Sequence, residues 1–247
     1  AVWPDALTRC RETVITALRE SMGDRFTEWE FERIWARNIL GNIPVLDRAL
    51  PFARLEGCAA GRTAVLVGAG PSLANSLPFL KQAAGRADLF ATDTALPALQ
   101  EAGISPEYVV SLDGQVHNLR DFNGLDTSGS VLLTEPTVYP AIPARSFKAI
   151  VFFEAAEIRE AEGRRTVHSH PLVLWVKQCL GEPGPVPTGG NVLTAALSLA
   201  VRMGYTTILF AGMDNAFPGG RYHCRGAYSH EMISNRATRI APVEKLA

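Results

Sequence analysis

From residue 63 onward the chain repeats one pattern: a short, strongly apolar run, then a stretch whose apolar residues recur at helical spacing. Ala64-Val65-Leu66-Val67 opens the series. Leu89-Phe90-Ala91, Tyr108-Val109-Val110-Ser111-Leu112, Val131-Leu132-Leu133, Ala149-Ile150-Val151-Phe152-Phe153 and Thr207-Ile208-Leu209-Phe210-Ala211 continue it. These runs do not alternate apolar with polar, as a strand with one wet face does. They suit strands covered on both faces, in a mostly parallel sheet whose crossovers are helices. The spacing predicts helices from about Ser72, over Thr94 to Ala102, and from about Val192 to Met203, the last closed by Gly204. The fold class is therefore α/β: Rossmann-like, a mostly parallel sheet with helices on both faces, preceded by an N-terminal helical extension.

Residues 1–60 read as that extension and residues 61–247 as the Rossmann-like domain with a C-terminal loop and tail. Leu7, Val14, Ile15 and Leu18 lie at helical spacing behind Pro4, a residue suited to a first helical turn. Thr27 precedes Glu30 by three residues, a capping-box pattern that opens a helix through Trp29, Phe31 and Trp35. That helix is expected to stop near Gly41, before Ile43-Pro44, and its aromatic residues to pack on the following domain. Glu154, Glu157, Arg159, Glu160, Glu162, Arg164 and Arg165 interrupt the apolar rhythm and read as a solvated helix face or a mobile excursion. Beyond Asp214 the apolar runs end. The Gly-, Arg- and His-rich remainder reads as a site loop and tail.

Bulk properties narrow the function classes. A chain of 247 residues, 47% hydrophobic, is long enough to bury a full core. Its formal net charge of −1 provides no global positive field for nucleic acid. No apolar run approaches the roughly 20 residues that span a bilayer, and no charged-then-apolar leader is read at its start. Cys10, Cys58, Cys179 and Cys224 form no CxxC pair, so they read as small core residues or free thiols. A reducing cytoplasm is the simplest setting.

Four groups of residues carry possible chemistry. The first is the strand-turn-helix through Gly68, Ala69, Gly70, Pro71 and Ser72. Glycine at 68 and 70 permits a tight turn and close ligand approach, and the helix N-terminus beyond it favours an anion such as phosphate. A βα junction also needs glycine for structural reasons alone, and the full GxGxxG and P-loop patterns are absent. The second is Thr188-Gly189-Gly190-Asn191, which opens an apolar helix. It reads either as a second anion- or ribose-binding helix terminus or as a simple N-cap after a proline loop. The third is a set of acids at strand ends, Asp93, Asp113 and Asp214, where ligands of open α/β sheets bind. The fourth lies after Asp214: His223 as a general base, with His230 nearby, and Arg221 and Arg225 as phosphate or acceptor contacts. His168 and His170 flank Ser169 without a zinc-ligand pattern.

Several motifs occur in a fixed order: Val67-Gly68-Ala69-Gly70-Pro71-Ser72-Leu73, Thr92-Asp93-Thr94-Ala95-Leu96 with Gly103-Ile104-Ser105-Pro106, Ser111-Leu112-Asp113, Thr188-Gly189-Gly190-Asn191-Val192 and Gly212-Met213-Asp214. In this set the chain resembles the motility accessory factor family of flagellin glycosyltransferases, a domain family that includes the archaeal 6-hydroxymethyl-7,8-dihydropterin diphosphokinases. It is more distantly similar to bacterial sialyltransferases that use CMP-sialic acid. The resemblance covers roughly residues 28–226. It implies a nucleotide held between the Gly68–Ser72 and Thr188–Asn191 turns, with Asp93, Asp113 and Asp214 around the nucleotide or acceptor. His223 matches the family's loop histidine. Asn191 stands where many relatives have serine, and the chain is shorter than full motility accessory factors, whose flanking regions recognise flagellin.

Three functions follow as expectations. A glycosyltransferase using a CMP-activated nonulosonic (sialic-like) sugar needs no cofactor, and its acceptor includes a protein such as flagellin. A pterin diphosphokinase needs ATP and Mg2+, with Asp93, Asp113 and Asp214 as metal ligands. A non-catalytic nucleotide-binding module retains binding without turnover.

Overall fold

A computed structural model describes residues 11–12, 14–15, 31–161, 164–168, 171–181 and 184–236. The expected helix over residues 4–22 and the Thr27–Glu30 capping box fall mainly outside the described residues.

Seven parallel strands form the main sheet: β1 (Leu50–Pro51), β2 (Thr63–Val67), β3 (Asp88–Thr92), β4 (Tyr108–Ser111), β5 (Val131–Thr134), β6 (Ala149–Phe152) and β10 (Thr207–Ala211). Their spatial order is β1-β6-β5-β4-β3-β2-β10. The helices are α1 (residues 31–46), α2 (Leu73–Ala83), α3 (Leu96–Glu101), α4 (Pro171–Leu180), α5 (Val192–Met203) and α6 (Tyr228–Arg236). The six apolar runs of the sequence are the six longer strands of this sheet, so the mostly parallel α/β fold stands as expected.

The strands read as unbroken apolar runs because alternate side chains feed cores on opposite faces. Ala64 and Leu66 of β2 pack with Phe90, Val110 and Leu133 against Leu193, Ala196, Leu199 and Met203 of α5. Val65 and Val67 pack with Leu89 and Ala91 against Leu73 and Leu80 of α2 and Ala98 and Leu99 of α3. At the other edge, Ile39, Val45 and Leu46 of α1 meet Phe152 and the α4 residues Val173 and Val176.

Three local expectations are corrected. Helix α1 runs through Gly41 to residue 46. Gly41 is there for contact: a Cβ would stand 2.9 Å from Pro140 Cγ, so the missing side chain lets the helix press on the domain. The charged stretch after Phe153 is strand, not helix. β7 (Glu154–Ala161) pairs antiparallel with β8 (Arg164–His168) and parallel with β9 (Pro185–Pro187) in a small second sheet. Backbone pairing there overrides a composition that reads as surface. Lys177 Nζ of α4 approaches Glu154 Oε2 at 2.5 Å, a buried ion pair rather than an aligned hydrogen bond. Third, the C-terminal region includes α6, seated by buried Ala227 and Ile233. Leu50–Pro51, within the stretch read as helical extension, pair with β6.

Gly204 closes α5 in the left-handed region, φ 88°, donating its N–H to Ala200 and Val201 carbonyls. No helix among the described residues is long and apolar enough to cross a membrane. Among the described cysteines, Cys58 is exposed and free and Cys224 buried and free.

Candidate functional site

Strand β2 has β3 on one side and β10, the last strand of the sheet in sequence, on the other. The chain therefore leaves this point in opposite directions, and a crevice opens beyond the carboxyl ends of β2 and β10. The crevice is a cavity of about 370 Å³ formed by the turns after β2, β3 and β10 and the start of α5. Gly68, Ala69, Gly70, Pro71, Asp93, Asn191, Asp214 and His223, read from sequence as site residues, all line it. Ser72, Asp113, Thr188, Gly189 and Gly190 lie outside its lining, as do Arg221 and Arg225.

The glycines hold two turns together. Gly68 N–H donates to the Ala211 carbonyl at 2.9 Å and Gly70 N–H to the Gly212 carbonyl at 2.8 Å, extending the β2–β10 pairing past the strand ends. A Cβ on Gly68 would stand 2.7 Å from the Gly212 carbonyl oxygen. One on Gly70 would stand 2.6 Å from the same oxygen and collide with the Asp214 carboxylate. Gly212 itself adopts φ 66°. The structural reading of this turn applies: the glycines are needed for backbone packing, and that packing forms one wall of the cavity.

Asp214 is committed to the fold as well as to the cavity. Its Oδ2 accepts the Ser72 N–H at 2.8 Å, capping the start of α2. This occupies a donor that the sequence reading offered to phosphate. At the second terminus Asn191 caps α5: Thr194 N–H donates to Asn191 Oδ1 at 2.9 Å, and Asn191 N–H to Thr194 Oγ1 at 3.3 Å. The first-turn residues Val192 and Leu193, whose N–H groups have no intrahelical acceptor, line the cavity. Free amides at a helix N-terminus are groups to which an anion can bind.

Asp93 follows β3 and is 1% exposed. It accepts Thr94 N–H at 2.8 Å, Ser111 Oγ–H at 2.7 Å and an Asn118 Nδ2 hydrogen at 3.2 Å. Burial raises its pKa against the lowering pull of these donors, and the charge of Asp113 raises it further. Asp113 accepts the Gln115 N–H at 2.9 Å, an Asx turn beyond β4.

His223 is partly buried against Tyr222, ring centroids 4.1 Å apart. Burial, then the neighbouring His230, lowers its pKa to about 4, so it stands neutral near pH 7. Arg221 and Arg225 are exposed; the Arg221 Nε–H turns back to the Pro218 carbonyl at 3.5 Å.

Sequence reasoning did not assign Met213, Asn215, Ala216, Phe217 and Tyr222, which line the cavity after β10. Phe217 stacks on Tyr222, centroids 5.8 Å apart and 19° between planes, while remaining 41% exposed. An exposed aromatic in a Gly- and Pro-rich loop was the available signal. Asn215 adopts φ 47°, a left-handed conformation that Asn tolerates. Asp121 was also missed. It lies behind Asp93 and accepts the Tyr228 N–H at 3.2 Å. Burial, then the Asp93 charge, raises its pKa to about 7.

With this geometry in place, comparison with known proteins gives a consistent picture. An uncharacterized protein of Treponema pallidum (strain Nichols) is 30% identical over 149 residues, 58% of this chain and 36% of that protein. A second from the same organism is 27% identical over 216 residues, 84% of this chain and 35% of that protein. The chain thus spans about a third of the length of these relatives. Among solved structures, the MAf glycosyltransferase from Magnetospirillum magneticum AMB-1 shares the fold, with a TM-score of 0.56 and 20% identity over 73% of this chain and 27% of that one. The family model described as 6-hydroxymethylpterin diphosphokinase MptE-like matches residues 37–220, which include the turns after β2 and β3 and the start of α5 that line the cavity. The chain belongs to the MptE-like family.

Proposed function

We propose that the chain is the nucleotide-binding unit of a transferase, and that its donor is a CMP-activated nonulosonic sugar seated in the switch-point cavity. The observation that carries this is the make-up of the lining. Among the described residues it contains the acids Asp93 and Asp214 and no lysine or arginine, so helix-terminal amides are the anion donors. That suits a nucleoside monophosphate ester better than a triphosphate, whose charge calls for cationic partners.

In this scheme the acceptor oxygen bonds to the anomeric carbon as the bond from that carbon to the CMP phosphate oxygen breaks. The Val192 and Leu193 amides stabilise the departing phosphate. His223, neutral at pH 7, takes the acceptor proton. A pKa of about 4 makes it a weak base in the free protein. The phosphate charge alongside raises that value, and the acceptor hydroxyl becomes acidic as its new bond forms.

A second reading rests on the family match: transfer of diphosphate from ATP to a hydroxymethylpterin with Mg2+. As they stand, Asp93 and Asp214 spend oxygens on Ser111, Thr94, Asn118 and Ser72, so Asp93, Asp113 and Asp214 do not form a ready magnesium ligand set. A non-catalytic nucleotide-binding module is the third reading.

Isothermal titration with CMP and with ATP, each with and without magnesium, separates the readings. Metal-independent binding of CMP supports the glycosyltransferase. Binding of ATP only with magnesium replaces it with the diphosphokinase. CMP binding without turnover of any CMP-sugar leaves the non-catalytic module.

A further inference from the structure

A second cavity, also about 370 Å³, lies between helix α1 and the turn that follows β4. One wall is the α1 face carrying Phe31, Ile34 and Arg37; the other is the Gln115–His117 segment, with Tyr139 alongside. Its construction is rigid. Asn38, 3% exposed, donates both Nδ2 hydrogens across the gap, to the Gly114 carbonyl at 2.9 Å and the Thr137 carbonyl at 2.8 Å. One turn later Asn42, fully buried, does the same to the Pro136 and Val138 carbonyls, each at 2.9 Å. Gly114 must be glycine, because a Cβ would stand 2.9 Å from the Thr137 carbonyl oxygen and 3.0 Å from Asn38 Nδ2. Two buried amides that fix a helix against a loop hold the walls apart at a set spacing and oppose collapse of the space between them.

The lining has a distinct chemistry. Phe31 and Tyr139 provide aromatic surface, Ile34 and Val116 aliphatic surface, and the exposed Arg37 and His117 cationic or hydrogen-bonding groups. We infer that this cavity is a second ligand site, one that takes a planar aromatic or heteroaromatic ring carrying a negative charge. The ring packs between the aromatic and aliphatic walls, and its anionic group pairs with the Arg37 guanidinium.

Its position gives the site a role. Asp113 joins the two cavities: its carboxylate accepts the N–H of Gln115, a wall of the second cavity, and its charge acts on Asp93, a wall of the first. A ring bound here lies beside the Asp93 wall of the donor cavity and, in the donor reading, belongs to the acceptor. That role rests on the donor reading above; the binding site itself does not.

The test is isothermal titration of the full chain with 1-naphthoate, with neutral 1-naphthalenemethanol and with cyclohexanecarboxylate, an anion without an aromatic ring. We expect naphthoate to bind about tenfold more tightly than either of the others, and Arg37→Ala to remove about tenfold of that affinity. Val116 is 52% exposed, so Val116→Trp fills the cavity without disturbing the core and abolishes naphthoate binding. CMP affinity, read on the same variants, stays within about twofold. Equal binding of all three probes, or naphthoate affinity unchanged by both substitutions, overturns the proposal. If CMP fails to bind while naphthoate behaves as stated, the donor reading falls and this site stands.

Discussion

Asp214 Oδ2 accepts the Ser72 amide at 2.8 Å across 142 residues of sequence, tying the end of the last sheet strand to the first turn of α2. The same carboxylate lies on the wall of the switch-point cavity. It is therefore a structural cap as well as a candidate site residue, and the two roles separate experimentally. We expect Asp214→Ala to lower unfolding free energy by about 1–2 kcal/mol, as loss of an N-cap does. Asp214→Asn, which keeps an acceptor oxygen, costs less than half of that. Urea denaturation of both variants measures the difference.

The turns of the domain depend on glycine to different degrees. Gly212→Ala places a Cβ against the Gly68 carbonyl oxygen at a positive φ, and a cost of about 3 kcal/mol or more follows from overpacking and left-handed strain together. Gly85 also has positive φ, 76°, but a Cβ there meets open space. Gly85→Ala is expected to cost only about 1–2 kcal/mol, from the backbone conformation alone. Equal losses for the two variants contradict the packing role assigned to Gly212.

Two groups near the cavity give opposite pH dependences. Asp121 is raised from 3.8 to about 7, so the folded state holds a proton that the unfolded state has lost. Its stabilising contribution is present below about pH 4 and is lost as pH rises towards 7. His223 is lowered from 6.5 to about 4, so its contribution is present above pH 6.5 and is lost as pH falls towards 4. Stability curves for Asp121→Asn and His223→Gln between pH 4 and 8 separate them. The first variant loses a component that declines with pH, and the second a component that rises with pH.

As proton acceptor, His223 affects turnover more than donor binding. With a CMP-sugar donor, His223→Ala is expected to lower kcat about 10²–10⁴-fold while changing CMP affinity less than about threefold. A parallel loss of both assigns His223 to binding instead.

Much of the fold was legible because parallel strands buried on two faces leave an unmistakable apolar signature. Val65 and Leu66 belong to different cores, yet both must be apolar. The Asn191 cap was legible for a local reason: its partner Thr194 is three residues away. The β7–β8 hairpin was not, because its charged residues resemble a solvated helix and its strand character comes from backbone pairing. The passage of α1 through Gly41 was hidden because glycine's local tendency to end a helix competes with a contact to Pro140, 99 residues away, that only the folded chain displays. The candidate site divides in the same way. Its glycines and acids stand in short motifs, whereas the Ser72–Asp214 cap and the placement of Asp121 behind Asp93 are long-range facts.

A crystal structure of the chain grown with CMP and without divalent metal tests the central claim most directly. The account predicts CMP in the switch-point cavity, its phosphate within hydrogen-bond distance of the Val192 and Leu193 amides and the Asp214–Ser72 contact intact. CMP bound elsewhere, or an empty cavity at saturating CMP, contradicts it.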